Sequence, residues 1–195
     1  MSACPCQLKT SRLLLRRWKP ADLQPFAAMN ADIEVMEFFP RLLSREESKS
    51  LIDRAERSFE AEGLGLWACE IASTGEFIGF VGLCRPGFES TFTPCVEVGW
   101  RLARDHWGKG YATEAAQTVT QDGFERLGLA EILSWTAAIN LRSKRVMERI
   151  GMVRDPDQDF LHPLIEEGHP LSPHVLYRLS RSARAGARSP AVAVG

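Results

Sequence analysis

The amino-acid sequence predicts a single α+β domain built on a mixed sheet. Strand-like apolar runs alternate along the chain with segments of helical periodicity. Some neighbouring strands are separated by a short turn and others by a helix, so the predicted sheet contains both hairpins and crossovers and differs from a doubly wound fold. The 195 residues are enough for one domain with a sizeable core and too few for two large ones.

In the N-terminal half, each predicted element has its own signal. Pro20 precedes an apolar-periodic stretch, as is common at a helix start. Ser44 and Glu47 have the spacing of a capping box, and a second periodic stretch follows them. The turn from Ser73 to Glu76 separates two apolar runs and predicts a hairpin. The resulting elements are strand 12–18, helix 21–31, a helix that begins after residue 44, and strands 66–72 and 77–83.

The C-terminal half continues this alternation. A strand over residues 95–102 leads to a turn with two glycines, and a helix over 112–127 follows with small and apolar residues on one face. The remaining predicted elements are strand 132–137, helix 141–150 and strand 174–179. Residues 182–195 have few large apolar side chains, which predicts a disordered C-terminal tail.

The composition argues against several classes of partner. A formal net charge of −1 is atypical of a nucleic-acid-binding protein. No apolar run approaches the roughly 18 residues that cross a bilayer, and the N-terminus does not have the pattern of a signal peptide. We therefore expect a cytoplasmic protein that binds neither nucleic acid nor membrane. The cysteines and histidines lack the spacing of a metal site, so we expect no metal.

The most informative segment is a strand, a glycine turn and a helix start at residues 96–115. Gly108 and Gly110 lack Cβ atoms, so the backbone of the turn can take unusual φ values and a phosphate can come close. The free N–H groups of the first helical turn can then bind an anion, helped by the helix dipole. The segment lacks the Gly-Lys-Ser/Thr of a P-loop and the third small residue of a dinucleotide fingerprint. From these residues alone, a flexible helix start that binds nothing remains an alternative.

This segment resembles the acyl-CoA-binding motif of the GCN5-related N-acetyltransferases (GNAT), whose pattern is Gln/Arg-x-x-Gly-x-Gly/Ala. The run Trp-Gly-Lys-Gly-Tyr-Ala-Thr-Glu-Ala at 107–115 is similar to the branch of ribosomal-protein N-terminal acetyltransferases that act on alanine or serine. Asp105 departs from the pattern at the Gln/Arg position. The resemblance extends over residues 8–181 and implies the GNAT fold, a single domain with a mixed, mostly antiparallel sheet flanked by helices.

By this resemblance, acetyl-CoA is the co-substrate and binds along the motif. Strand backbone groups bind the pantetheine arm and the thioester carbonyl, and the glycine turn holds the pyrophosphate. Arg142, Lys144 and Arg145 crowd a second helix start, where they either suit the CoA phosphates or form a solvated basic face. The implied cofactor-binding residues are Trp100, Arg101 and Leu102 in the strand, Trp107, Gly108, Lys109, Gly110, Tyr111 and Ala112 in the turn, and Asn140 and Ser143 at the second helix start.

Three residues are candidates for proton transfer. Many relatives carry a tyrosine that protonates the CoA thiolate, but Met147 stands at that position and has no proton to give. Ser143, one turn earlier, is the replacement that the ribosomal-protein branch implies. The attacking amine needs a base, and the candidates are Glu97 on the cofactor strand and His162 in the C-terminal segment. An ordinary exposed carboxylate at Glu97 and a structural histidine at His162 remain the alternatives.

We therefore predict an N-acetyltransferase that moves an acetyl group from acetyl-CoA to a primary amine by direct attack in a ternary complex. The amine belongs to a protein N-terminus or to a small molecule. Glu34 and Glu37, with the acidic residues of segment 155–173, predict an acidic rim suited to a basic peptide or a polyamine. The alternatives are a non-catalytic acyl-CoA sensor and an acyltransferase for longer acyl-CoA. Both a monomer and a homodimer are compatible with the sequence.

Overall fold

The computed structural model describes residues 5–182 of the chain. Its helices are α1 (Leu23–Asn30), α2 (Arg45–Glu62), α3 (Tyr111–Glu125) and α4 (Leu141–Arg149). Its strands are β1 (Gln7–Lys9), β2 (Leu13–Arg16), β3 (Leu66–Ile71), β4 (Phe77–Cys84), β5 (Glu97–Leu102), β6 (Glu131–Ala137), β7 (Val153–Arg154), β8 (Phe160–Leu161) and β9 (Pro173–Ser180). The predicted tail, residues 182–195, lies outside the described residues except for its first residue.

The strands described in residues 5–182 form one sheet in the order β1-β2-β3-β4-β5-β6-β9-β7, and β8 pairs with β9. Every pairing is antiparallel except that of β5 with β6, which is parallel. The parallel pair arises because the chain crosses over through α3 between these two strands, whereas β3 and β4 are joined by a hairpin. The predicted α+β class and the mixed, mostly antiparallel sheet are therefore confirmed.

Helix α2 begins and ends where its sequence signals predict. The hydroxyl of Ser44 accepts a hydrogen bond from the Glu47 N–H at 3.2 Å, and the Glu47 carboxylate accepts one from the Ser44 N–H at 2.8 Å. This reciprocal pair is the predicted capping box. Gly63 ends the helix in the left-handed conformation, with φ of +70°. The buried residues Ala55 and Phe59 then hold the helix on the rest of the domain.

Helix α3 packs close to the sheet because its buried face consists of small residues. Ala115, Ala116 and Val119 are fully buried in the main core. A Cβ atom added to Gly123 would lie 2.9 Å from Cδ1 of Leu83 in β4, so the helix rests directly on this strand. The close packing fixes the N-terminus of α3 relative to the C-terminal end of β5, which is the part of the sheet where the candidate site lies.

The predicted elements agree with the structure to within two residues at each end. No pattern in the sequence predicts β1, β7 or β8. These strands are two or three residues long, too short to show a periodicity, and each exists because it pairs with a longer strand. Among the four helices of residues 5–182, none is both long and apolar enough to cross a membrane.

Candidate active site

The sheet opens between β5 and β6. The two parallel strands pair at a single register position, Glu97 with Leu133. Next to it, the Leu133 N–H donates to the Val96 carbonyl at 2.9 Å, and the buried Ser134 hydroxyl donates to the Val98 carbonyl at 2.9 Å. Beyond these contacts no ladder pairing joins β5 to β6 in the described residues. A gap therefore lies between the C-terminal ends of the two strands.

The backbone of Trp100 faces this gap. The Ala103 N–H donates to the Ile78 carbonyl at 2.9 Å, which identifies the hydrogen-bonded positions of the antiparallel pair β4–β5. Because these positions alternate, Arg101 directs its backbone groups to Phe80 in β4, and Trp100 and Leu102 direct theirs to the gap. The Leu102 carbonyl accepts from the Trp107 indole N–H at 2.8 Å. The available groups are thus the N–H and C=O of Trp100 and the N–H of Leu102.

This alternation corrects one predicted contact. The backbone of Arg101 lies in the β4–β5 ladder and does not reach the gap. A strand presents the backbone groups of every second residue to one neighbour, so three consecutive residues cannot all bind the same ligand through their backbone. Arg101 enters the site through its side chain, which points to α1.

The glycine turn presents an uncapped helix start. Gly108 and Gly110 have φ of +73° and +80°, in the left-handed region that favours glycine. Gly110 is the N-cap residue of α3 and has no side chain that could cap the helix. The first helical hydrogen bond is donated by the N–H of Glu114 to the Gly110 carbonyl at 3.0 Å, so the N–H groups of Tyr111 and Ala112 have no partner within the helix. The positive end of α3 can therefore bind an anion.

A carboxylate and a guanidinium hold this turn from outside. Glu114 accepts hydrogen bonds from the Thr10 hydroxyl at 2.5 Å, the Arg12 N–H at 2.8 Å and the Ser11 hydroxyl at 2.9 Å. Although burial acts in the opposite direction, these bonds lower the pKa of Glu114. Arg12 pairs with the same carboxylate and donates to the Lys109 carbonyl at 2.9 Å. The sequence patterns did not single out Arg12 or Glu114, because their contact joins residues about a hundred positions apart.

The second helix start orients a serine hydroxyl. Asn140 caps α4 by accepting a hydrogen bond from the Ser143 N–H at 3.1 Å. Its side-chain amide donates to the Thr136 hydroxyl at 2.9 Å and to the Ser143 hydroxyl at 3.1 Å. Because the Ser143 oxygen accepts a hydrogen bond from Asn140, its own proton stays available for donation. Met147, in contrast, is fully buried in the main core.

Glu97 stands at the closed end of the gap and is the first residue of β5. Burial raises the pKa of this carboxyl to about 8, although a hydrogen bond from the Cys84 thiol, at 3.7 Å from Oε2, acts the other way. The strand face beside it is open, because a Cβ atom added to Gly99 would have only Oε1 of Glu97 within 4 Å, at 3.8 Å. Glu97 is therefore no ordinary surface carboxylate, and a proton acceptor with this pKa suits neutral pH.

The structure does not group His162 with Glu97 or Ser143. Its ring lies in a cluster of aromatic rings, with centroids 4.9 Å from Phe88 and 4.8 Å from His174. Its Nδ1 accepts a hydrogen bond from the Leu164 N–H at 3.3 Å. Burial, and then the neighbouring His174, lower the pKa of His162 to about 4. A neutral imidazole has one lone pair, and here that lone pair is already used, so we do not assign His162 as the general base.

The predicted acidic rim is paired with cations. Glu34 pairs with Arg104, and Glu37 pairs with Arg142. Of the C-terminal acids, Asp155 pairs with Arg178 and Asp159 with Arg154. Arg142 also lies over the Trp107 ring at 4.3 Å, so it connects the segment between α1 and α2 to the glycine turn. The charges of Glu34, Glu37, Asp155 and Asp159 are thus already paired within the chain.

Two further expectations concern the basic start of α4 and metal binding. Lys144 donates to the Ala138 carbonyl at 2.8 Å and so supports the loop that leads into α4. Within residues 5–182, no group of three or more His, Cys, Asp or Glu side chains is arranged to hold a metal ion.

Known proteins are similar to this chain in sequence and in fold. A sequence model described as the acetyltransferase (GNAT) domain matches residues 12–153. The uncharacterized protein YkkB of Bacillus subtilis is 31% identical over 147 residues, which cover 75% of this chain and 84% of that protein. The FsC-acetyl coenzyme A-N(2)-transacetylase of Aspergillus fumigatus is 37% identical over 114 residues, or 54% of this chain and 48% of that protein. The solved ribosomal-protein-S5-alanine acetyltransferase from Vibrio fischeri is similar in fold, with a TM-score of 0.72 at 16% identity over 90% of this chain and 97% of that one.

Proposed function

The chain belongs to the GNAT acetyltransferase family and is an acyl-CoA-dependent acetyltransferase, and from this premise we propose that it acetylates a primary amine by direct attack in a ternary complex. One observation carries the proposal. The gap between β5 and β6 has the Glu97 carboxyl, with its raised pKa, at its closed end. The N-termini of α3 and α4 follow the two strands at the open end of the gap. A thioester, a phosphate and a base can therefore be arranged along one strand.

The donor is acetyl-CoA, and the chain offers groups that fit it. The N–H groups of Tyr111 and Ala112, which follow the uncapped Gly110, suit the pyrophosphate. The N–H and C=O of Trp100 suit the amides of the pantetheine arm in the gap. Trp107 closes this end of the site, because its indole holds the Leu102 carbonyl and its ring stacks on Arg142.

The reaction that we propose is acyl transfer without a covalent enzyme intermediate. Glu97 takes a proton from the acceptor ammonium, and the free amine attacks the thioester carbon to form a C–N bond. An N–H group of Trp100 or Leu102 stabilises the oxyanion that develops. The C–S bond then breaks, and the departing thiolate takes the proton of the Ser143 hydroxyl. A water molecule passes to Ser143 the proton that the attacking nitrogen loses as the amide forms, and Glu97 releases its own proton to solvent. The products are an amide and CoA.

The acceptor is a primary amine of a small molecule or of a protein N-terminus. Two of the similar proteins are named for acetyl transfer to nitrogen or to a ribosomal protein, and this supports an amine as acceptor. The test is to incubate the purified protein with acetyl-CoA and a panel of amino acids, polyamines and peptides, and to measure thiol release and product mass. Binding of CoA without turnover on any acceptor would support the sensor. Turnover only with a longer acyl-CoA would support the other alternative.

We expect Ser143→Ala to lower kcat by about tenfold, since loss of a general acid costs this much or more even when water replaces it. The KM for acetyl-CoA should change little, because the Asn140 cap and the backbone N–H of residue 143 remain. Ser143→Thr keeps a hydroxyl and is the matched control, with a smaller loss expected. Steady-state thiol release measures both variants. Equal kcat in the wild type and Ser143→Ala would show that water alone protonates the thiolate.

A further inference from the structure

Arg101 carries a partly buried positive charge that forms no ion pair with a carboxylate of the described residues. Its side chain lies on the same face of β5 as those of Glu97 and Gly99, because strand residues alternate between faces. The guanidinium makes one hydrogen bond within residues 5–182, from Nη1 to Oδ1 of Asn30 at 2.7 Å. Its Nε is buried and has no partner there. Burial lowers the pKa of Arg101 to about 10, which still leaves it charged at neutral pH.

A second arginine, Arg16, shows what compensation looks like in this chain. Arg16 is 7% exposed, and its guanidinium pairs with Asp22 at 2.6 Å and with Glu70 at 2.6 Å. Those contacts raise the pKa of Arg16 in spite of burial. A buried cation without such partners is unfavourable, so an anion that binds it gains more than it would at the surface. The site around Arg101 is therefore an incomplete ion pair.

The surroundings of Arg101 also fix how an anion would approach. The guanidinium lies over the Phe39 ring at 4.0 Å and over the Phe80 ring at 5.6 Å. Asn30 is held in turn by its bond to the Ser48 hydroxyl at 2.9 Å, so the plane of the guanidinium is anchored. With rings stacked on its flat surface, the group offers its N–H edge. A carboxylate binds such an edge in the plane, through parallel hydrogen bonds.

We propose that Arg101 binds a carboxylate of the acceptor, so that the substrate is an amine that also carries a carboxylate. This inference rests on the proposed function. The Cα atoms of Glu97 and Arg101 are four residues apart, about 13 Å along an extended strand. Gly99 between them leaves the strand face open. The bound carboxylate therefore lies several bonds from the reacting amine, as in a peptide with an acidic side chain or an amino acid with a distant carboxylate.

The ion pairs of the rim agree with this substrate class. Because Arg104 and Arg142 already pair with Glu34 and Glu37, the acids near the site are neutralised and do not repel an anionic acceptor. Arg101, in contrast, has no acidic partner in the described residues and stands on the same strand face as Glu97. The notion of a basic peptide or polyamine as acceptor has no such support.

The test compares matched acceptors that differ only in charge. The full-length protein is assayed at saturating acetyl-CoA with peptides and ω-amino acids as carboxylates and as their carboxamides. We expect kcat/KM to favour the carboxylate by at least about tenfold, since a charge-assisted pair is worth this much or more. Arg101→Met should remove the preference for the carboxylate, and its kcat/KM for the carboxamides should stay within about threefold of the wild-type value. Arg101→Lys should keep part of the preference, because lysine keeps the positive charge but cannot form the two parallel hydrogen bonds of a guanidinium.

Two controls keep the outcomes distinct. Arg149→Met removes an exposed arginine of α4 and should leave the preference unchanged. Calorimetric binding of each acceptor pair to the CoA complex provides a readout that does not need turnover, and thermal unfolding checks that the variants fold. If acceptors react but carboxylates have no advantage, Arg101 does not bind the acceptor. If Arg101→Met raises the KM for acetyl-CoA with every acceptor, the anion is a CoA phosphate and the inference is wrong. If nothing reacts or binds, the proposed function fails as well.

Discussion

Glu97→Gln is expected to lower kcat for acetyl transfer by about 100-fold, the lower end of what a positioned general base contributes. The substitution keeps the size of the side chain and removes its ability to take a proton. Because burial raises the pKa of Glu97 to about 8, the base is mostly protonated at pH 7. The wild-type rate should therefore rise with pH up to about 8 and then level off. The variant should lose this dependence when kcat is measured with the same acceptor from pH 6 to 10.

The stability of the same variant separates a base from a structural residue. The folded pKa of Glu97, about 8, exceeds the value of 4.5 expected for an unperturbed glutamate. Ionisation then favours the unfolded chain, so Glu97 disfavours the folded state increasingly as pH rises from the unfolded value to the folded one. Glu97→Gln should consequently have a Tm equal to or above that of the wild type at pH 8, and the difference should shrink at pH 5. A Glu97→Gln variant that is less active but no less stable than the wild type has lost a reacting group and not a structural contact.

The control is Glu131→Gln. Glu131 is the first residue of β6, as Glu97 is of β5, but it lies two residues before Leu133, the register partner of Glu97, and it pairs with Arg178 at 2.7 Å. This change should leave the pH profile of kcat as in the wild type. An ascending limb near pH 8 that persists in Glu97→Gln would assign that limb to the acceptor amine or to another group, and the role of Glu97 as base would be withdrawn.

The long elements of the fold could be predicted from the sequence because their signals are local. The capping box at Ser44 and Glu47 and the glycine turn before α3 lie within a few residues of the helices they start. The short strand β1 and the strands β7 and β8 could not, since their pairing is decided by the register of β2 and β9. Two or three residues contain too little pattern to predict such a pairing.

The residues of the candidate site likewise fall into those that local sequence predicts and those that depend on distant parts of the chain. The glycine turn before α3 and the Asn140 cap of α4 are local and were predictable from the residues themselves. The ion pair of Glu37 could not be predicted, because the cation that neutralises it is Arg142, 105 residues away. The pKa of Glu97 likewise depends on its burial in the folded chain and on its hydrogen bond from Cys84 in β4. Sequence reasoning finds groups that bind through local backbone geometry, and it misses charges whose partners come from another element.

Gly108→Ala is expected to weaken CoA binding by about 30-fold, equivalent to about 2 kcal/mol, the value of a charge-assisted hydrogen bond. Gly108 has φ of +73°, where an alanine is strained, and its backbone belongs to the turn that we propose to hold the pyrophosphate. The substitution therefore either shifts the turn or leaves a Cβ atom in the path of the phosphate. Isothermal titration of CoA measures the change in Kd directly and needs no acceptor.

The chain contains a matched control for the strain itself. Gly75, in the hairpin between β3 and β4, also has φ of +73°, and a Cβ atom added to Gly75 or to Gly108 would meet no protein atom within 4 Å. Both alanine variants should thus lose a similar stability, about 1 kcal/mol in thermal or chemical unfolding. Only Gly108→Ala should lose affinity for CoA. Equal Kd values for the two variants would mean that the turn at Gly108 does not bind the pyrophosphate, and the phosphate would then have to lie at the start of α4, beside Asn140.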